Sequence, residues 1–259
     1  MKNTFIALLI VLLLGGGLYI YMREDKVLPA PTTSTSTTTT TGTLPVANVA
    51  ATGTPTATTD GSKTVLGASV SGNQITAYHF GNGAKELLFV GGIHGGYEWN
   101  TTLLAYELMD YLKANPSVIP SGIKITVIPV MNPDGLKKVT GSPERFLAKD
   151  VSKDESILAS GRFNANNVDL SRNFDCDWKS TGVWQTKAVS GGSAIFSEPE
   201  SKAIKSYVEK KAPAAVVVWY SAAGGVFASN CAGSAPYETA VITKAFATAS
   251  GYPSYDSFD

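Results

Sequence analysis

The sequence predicts an α/β domain, a mixed central sheet with helices on both faces, and two observations carry that expectation. Two short segments, Leu87-Leu88-Phe89-Val90 and Ala215-Val216-Val217-Val218-Trp219, are continuously apolar, as strands buried on both faces are. Strand-like and helix-like stretches also alternate along the chain, the pattern that layers helices over a sheet.

The expected strands are Thr64–Val70, Gln74–Phe80, Glu86–Gly91, Ile123–Val130 and Ala214–Ser221. The first two are close enough in sequence to form a hairpin, which makes the sheet mixed rather than parallel. The expected helices are Trp99–Leu112, Glu198–Lys211 and Tyr237–Ser250. Ser197-Glu198-Pro199-Glu200 reads as a capping box, with Ser197 as N-cap and Glu200 at the third helical position. No internal repeat is present.

This globular part, residues 64–259, follows two unlike regions. Residues 1–26 hold an apolar run from Phe5 to Met22 between Lys2 and Arg23. As a helix it would be about 27 Å long, close to the ~30 Å of a bilayer's hydrocarbon. It reads as a transmembrane helix that tethers the protein outside the membrane. A cleaved signal peptide, leaving a secreted protein, is the alternative. Residues 27–63 are rich in Thr, Ser and Pro and contain too few large apolar groups to offset the entropy of ordering a backbone. They form a linker. The 21 basic and 21 acidic residues cancel, so no nucleic-acid partner is expected.

The candidate chemistry starts at the third strand, which runs into Gly92-Ile93-His94-Gly95-Gly96-Tyr97-Glu98 before a helix. A His and a Glu on a glycine-rich turn sit where open sheets carry their sites, at strand carboxyl ends. Both are good zinc ligands, and both also occur as a plain hydrogen-bonded pair. Further along stand Asn132-Pro133-Asp134-Gly135, then Arg162 with Val168-Asp169-Leu170-Ser171-Arg172-Asn173-Phe174, then Phe196-Ser197-Glu198-Pro199-Glu200.

Those four motifs, in that order, resemble the zinc carboxypeptidases of the carboxypeptidase A type, bacterial members in particular. The resemblance implies one zinc ion, with His94 and Glu98 as two of its ligands. It implies that Asp169 orients the ligand histidine. Arg162 would polarise the scissile carbonyl, and Arg172, helped by Ser171, would hold the terminal carboxylate. The implied partner is a peptide with a free C-terminus, including cell-wall stem peptides. In the family, zinc activates water and polarises the carbonyl, while a late glutamate acts as general base.

The chain departs from the family pattern in four places. Three residues rather than two separate His94 from Glu98. Ser171 stands where the family has an asparagine. Tyr220, in Trp219-Tyr220-Ser221, stands where the family has its third ligand, a histidine. The only other histidine, His79, lies in an alternating strand and reads as structural. No residue before Asp259 corresponds to the general base, so the domain reads as C-terminally incomplete. The expected activity is therefore doubtful, with a non-catalytic peptide-binding relative or a zinc amidohydrolase of acylated amino acids as alternatives. Cys176 and Cys231 are the only cysteines, and in an exported protein an even count favours a disulfide.

Overall fold

The computed structural model describes residues 62–231 and 233–257. The apolar segment 1–26 and the linker lie outside the described residues, among which no helix is long and apolar enough to cross a membrane.

Five strands form the central sheet: β1 (Ser62–Ala68), β2 (Gln74–Phe80), β3 (Lys85–Val90), β4 (Ile123–Ile128) and β7 (Ala215–Val218), in the order β1-β2-β4-β3-β7. β1 and β2 pair antiparallel, as do β2 and β4. β3 lies parallel to both β4 and β7. The sheet is mixed, as expected, and the carboxyl ends of β3, β4 and β7 share one edge.

The period-2 alternation of these strands feeds two cores. Leu87, Phe89, Ile123, Ile125 and Val127 face one side, under α1 (Trp99–Ala114) and α5 (Tyr237–Ser250), which contribute Ala105, Met109, Leu112 and Phe246. Ile75, Ala77, Leu88, Val90 and Ile128 face the other, under Ala203, Ile204 and Tyr207 of α4 (Pro199–Lys211). Helices therefore cover both faces. His79 is structural, its ring nitrogens within 2.9 Å of Thr64 Oγ1 and 3.0 Å of Thr126 Oγ1.

Two expectations are corrected. β7 is not buried on both faces: Val216 and Val218 are 44% and 37% exposed, while Ala215, Val217 and Trp219 pack on the first core. Among the described residues β7 pairs only with β3. The capping box is also absent. Glu198, not Ser197, is the cap residue of α4, and it makes no side-chain cap bond. Asn173 caps the helix from a distant segment, accepting from Glu198 N at 3.0 Å and Ser201 Oγ at 2.6 Å. Glu200 turns inward instead, accepting from Val70 N and Asn164 Nδ2.

Elements not anticipated are α2 (Pro133–Thr140), α3 (Glu155–Ser160), the hairpin of β5 (Thr181–Trp184) and β6 (Lys187–Ser190), and the two-residue strands β8 (Val226–Phe227) and β9 (Ser254–Tyr255). Asn132 caps α2, accepting from Gly135 N at 2.9 Å.

Candidate active site

β3 ends at Val90, and the chain turns sharply through Gly92 at φ 62° and Gly95 at φ 47°. Both positions require glycine. A Cβ at Gly92 would come within 2.7 Å of Thr102 Oγ1, and one at Gly95 within 2.6 Å of the Gly161 carbonyl. The turn closes with Tyr97 N donating to His94 O at 3.0 Å. This helix-like geometry brings residues four apart together, so His94 Nδ1 lies 2.9 Å from Glu98 Oε1. The extra residue between them is thus absorbed by the turn.

Asp169, fully buried, is the hub of the site. It precedes the short 3₁₀ turn Leu170–Arg172, and its backbone N–H is fixed by the Ser190 carbonyl at 2.9 Å. Its carboxylate lies 3.3 Å from His94 Nε2 and accepts from Arg162 Nε at 3.0 Å and Ser171 Oγ at 2.9 Å. Arg172 Nε stands 3.4 Å away. Burial pushes the Asp169 carboxyl up, but His94, Arg162 and Ser171 outweigh it and hold the group at about 2. Burial likewise pushes His94 down, and Asp169 and Glu98 more than reverse that, raising it.

Arg162 is 7% exposed and no solvated arginine. Besides Asp169 it reaches His94 Nδ1, with Nη1 at 3.3 Å. Its guanidinium lies over Trp184 at 4.9 Å and Tyr97 at 5.8 Å. Asn132 Nδ2 donates to the Arg162 carbonyl at 3.2 Å, which ties the end of β4 to the arginine. Arg172 is half-exposed and donates through Nη2 to the Val183 carbonyl at 2.6 Å. The Ser171 hydroxyl is directed to Asp169.

Just beyond β7, Tyr220 closes the site. Its ring meets that of His94 edge-on at 5.5 Å, and Ser221 N donates to Glu98 Oε2 at 3.0 Å. Burial, with Glu98 and Asp169 nearby, pushes the Tyr220 phenol up to about 12. Cys176 and Cys231 form a disulfide, joining the arginine loop to the loop beyond Tyr220.

A zinc carboxypeptidase family model matches residues 56–242. The chain belongs to the zinc carboxypeptidase family. Over 212 residues it is 26% identical to the gamma-D-glutamyl-L-diamino acid endopeptidase 1 of Lysinibacillus sphaericus, covering 73% of this chain and 52% of that protein. Over 166 residues it is 28% identical to carboxypeptidase Z of Rattus norvegicus, covering 56% of this chain and 24% of that protein. Two solved structures share the fold. Carboxypeptidase A from Helicoverpa armigera aligns at a TM-score of 0.56 and 20% identity, over 73% of this chain and 48% of its own. Thrombin-activatable fibrinolysis inhibitor aligns at 0.58 and 17%, over 76% and 54%. The chain thus spans about half, or less, of the length of each of these proteins.

The family is zinc-dependent, and the donors present suit the ion only in part. His94 Nδ1 and Glu98 Oε1 face each other, with Asp169 at the other imidazole nitrogen in the manner of an orienting carboxylate. No group of three or more His, Cys, Asp or Glu side chains among the described residues could hold a metal ion. Beside His94 stands Tyr220, a phenol that stays protonated at neutral pH and so is a poor donor.

Sequence reasoning missed Trp184, Tyr97 and Phe163, which form an aromatic wall over Arg162. The available signal was slight, two short apolar pairs, Val183-Trp184 and Ala188-Val189, followed by Gly191-Gly192.

Proposed function

We propose that this domain grips peptides by their free C-terminal carboxylate. Its architecture is that of a zinc metallocarboxypeptidase acting on peptides or cell-wall stem peptides, with hydrolysis impaired by Tyr220. The observation that carries the reading is the clustering of His94, Arg162 and Arg172 around one buried carboxylate, Asp169. Three groups far apart in function but fixed on one hub suit a ligand that must be held at its end and polarised one bond inward. In this reading His94 and Glu98 are the two metal ligands, and Asp169 fixes the imidazole tautomer. Arg162 faces the scissile carbonyl, while Arg172, steadied through Ser171 and Asp169, takes the terminal carboxylate. The relative from Lysinibacillus sphaericus, by its name a γ-glutamyl peptide endopeptidase, favours stem peptides among the substrates.

With two good donors and a protonated phenol, zinc is held weakly and turnover is slow or absent. Tyr220 therefore favours a second reading, a peptide-binding relative that does not cut. Arg172 argues against an amidohydrolase of acylated amino acids less strongly than the two-arginine arrangement argues for a peptide. The test is a matched peptide pair, one with a free and one with a blocked C-terminus, followed by binding and by release of the last residue. Preference for the free acid supports the reading, and release distinguishes enzyme from binder. Equal binding of both peptides overturns it.

We further infer an extracytoplasmic location, tethered through Met1–Lys26. The disulfide supports export. Full-length protein should remain with membranes on fractionation, and a soluble form beginning near Pro31 would show a cleaved leader instead.

A further inference from the structure

The β5–β6 hairpin lies across both arginines of the site. Its strands pair antiparallel with Trp184 opposite Lys187, which puts Trp184 at the tip. There the indole lies beneath the Arg162 guanidinium at 4.9 Å and meets Tyr97 and Phe163 edge-on at 4.9 and 5.9 Å. One residue earlier, the Val183 carbonyl takes Arg172 Nη2 at 2.6 Å. Gly182 lets the strand rest on Arg172, since a Cβ there would come within 2.7 Å of Nη1 and 2.9 Å of Cζ.

The hold on Arg172 is incomplete. Its Nε is buried and makes no hydrogen bond, standing 3.4 Å from the Asp169 carboxylate as an ion pair only. A guanidinium presents five N–H donors in a planar fork, and one hydrogen bond to a neutral carbonyl with one long ion pair to Asp169 uses it incompletely. A carboxylate can accept two parallel bonds, each charge-assisted and roughly twice as strong as a neutral one.

The hairpin is moored at its base and light at its tip. At the base, Asp169 N donates to Ser190 O, Gly191 N to Ser180 O, and Trp178 Nε1 to Gly191 O. The Cys176–Cys231 disulfide lies just before β5. At the tip, Val183 is 62% exposed.

Resting on the Arg172 reading above, we propose that the hairpin tip is an internal occupant of the anion site. The Val183 carbonyl holds Arg172 and Trp184 caps Arg162 until a peptide's C-terminal carboxylate displaces them and lifts the tip.

The test uses the full chain labelled with 5-fluorotryptophan and followed by ¹⁹F NMR, with the Trp184 resonance assigned through Trp184→Phe. The probes are an N-acetylated dipeptide with a free carboxylate and its C-terminal amide. The acid should move the Trp184 resonance and the amide should not. Trp184→Ala should bind the acid at least about threefold more tightly, the least that such a cation–π contact contributes. If only Trp184→Ala distinguishes acid from amide, no carboxylate lifts the tip in the native chain and the proposal is overturned, while the Arg172 reading survives. If the native chain binds the acid, loses it with Arg172→Met, and leaves both the Trp184 resonance and the Trp184→Ala affinity unchanged, the proposal is overturned while the Arg172 reading survives. If neither chain distinguishes the probes, both are overturned. Should Trp184→Ala fail to fold, the acid-versus-amide shift in the native chain decides alone.

Discussion

The Tyr220 ring meets the His94 imidazole edge-on, with centroids 5.5 Å apart and planes at 61°. The phenol therefore stands against the candidate metal ligands, in a place where Glu98 is already tied to the next backbone N–H, that of Ser221. Burial first, then the charges of Glu98 and Asp169, keep that phenol protonated.

Burial decides how much each arginine–carboxylate pair matters. Asp169→Asn leaves Arg162 charged, buried and without its carboxylate, which should cost about 3–5 kcal/mol. Asp110→Asn breaks the pair with Arg145, whose contacts are shorter, at 2.7 and 2.8 Å, but whose partners are exposed. It should cost less than about 1 kcal/mol. Urea unfolding of both variants checks this, and equal losses would contradict it.

Asp134 should set part of the acid sensitivity. Buried at the start of α2, it accepts from Ser69 Oγ, Asn73 Nδ2 and Ser71 N at 2.5, 2.7 and 3.0 Å, clamping the β1–β2 turn. Burial pushes its carboxyl up, but those three donors prevail and hold it below the usual 3.8. A depressed carboxyl stabilises the fold above its unfolded value, and that stability is lost as pH falls through the folded value. Asp134→Asn should cost about 2 kcal/mol at pH 7. The gap to the native chain should close as pH falls below 3.8. A gap independent of pH would mean that the carboxylate's charge is not what the clamp uses.

The disulfide closes a segment of 55 residues that holds the hairpin, α4, β7 and Tyr220. Constraining a loop of that length in the unfolded chain stabilises by up to about 4 kcal/mol. Thiol labelling of unreduced, denatured protein should find no free cysteine. The Cys176→Ser/Cys231→Ser variant should unfold at lower urea, and an unchanged midpoint would show that the bond is dispensable.

Much of this architecture was legible in the residues. β2 and α5 match their expected limits, and β3, β4, α1 and α4 differ by one or two residues at their ends, because apolar period and length both pointed one way. His94, Glu98, Asp169, Arg162 and Arg172 were expected in one site, and the fold brings them together. What stayed hidden depended on distant partners. Asn173 takes the cap that local spacing gives to Ser197, and the exposure of Val216 and Val218 depends on which elements adjoin β7. The β5–β6 hairpin is four residues a side, too short for periodicity to stand out.

The sharpest prediction returns to Tyr220. Tyr220→His places an imidazole where the phenol now stands, and imidazole donates a lone pair near neutral pH without losing a proton from a group held at about 12. The smaller ring fits a space already made for tyrosine, so folding should be preserved. Zinc affinity should rise at least about tenfold, a change of about 1.4 kcal/mol. Zinc per chain after dialysis measures it, with Glu98→Gln in the same background as the control that removes a second donor. Hydrolysis is a separate readout, because no described residue has been assigned the general base's role, and it should stay slow in the single variant. A native chain that already retains one zinc through dialysis and releases C-terminal residues would show that Tyr220 does not occupy a ligand's place.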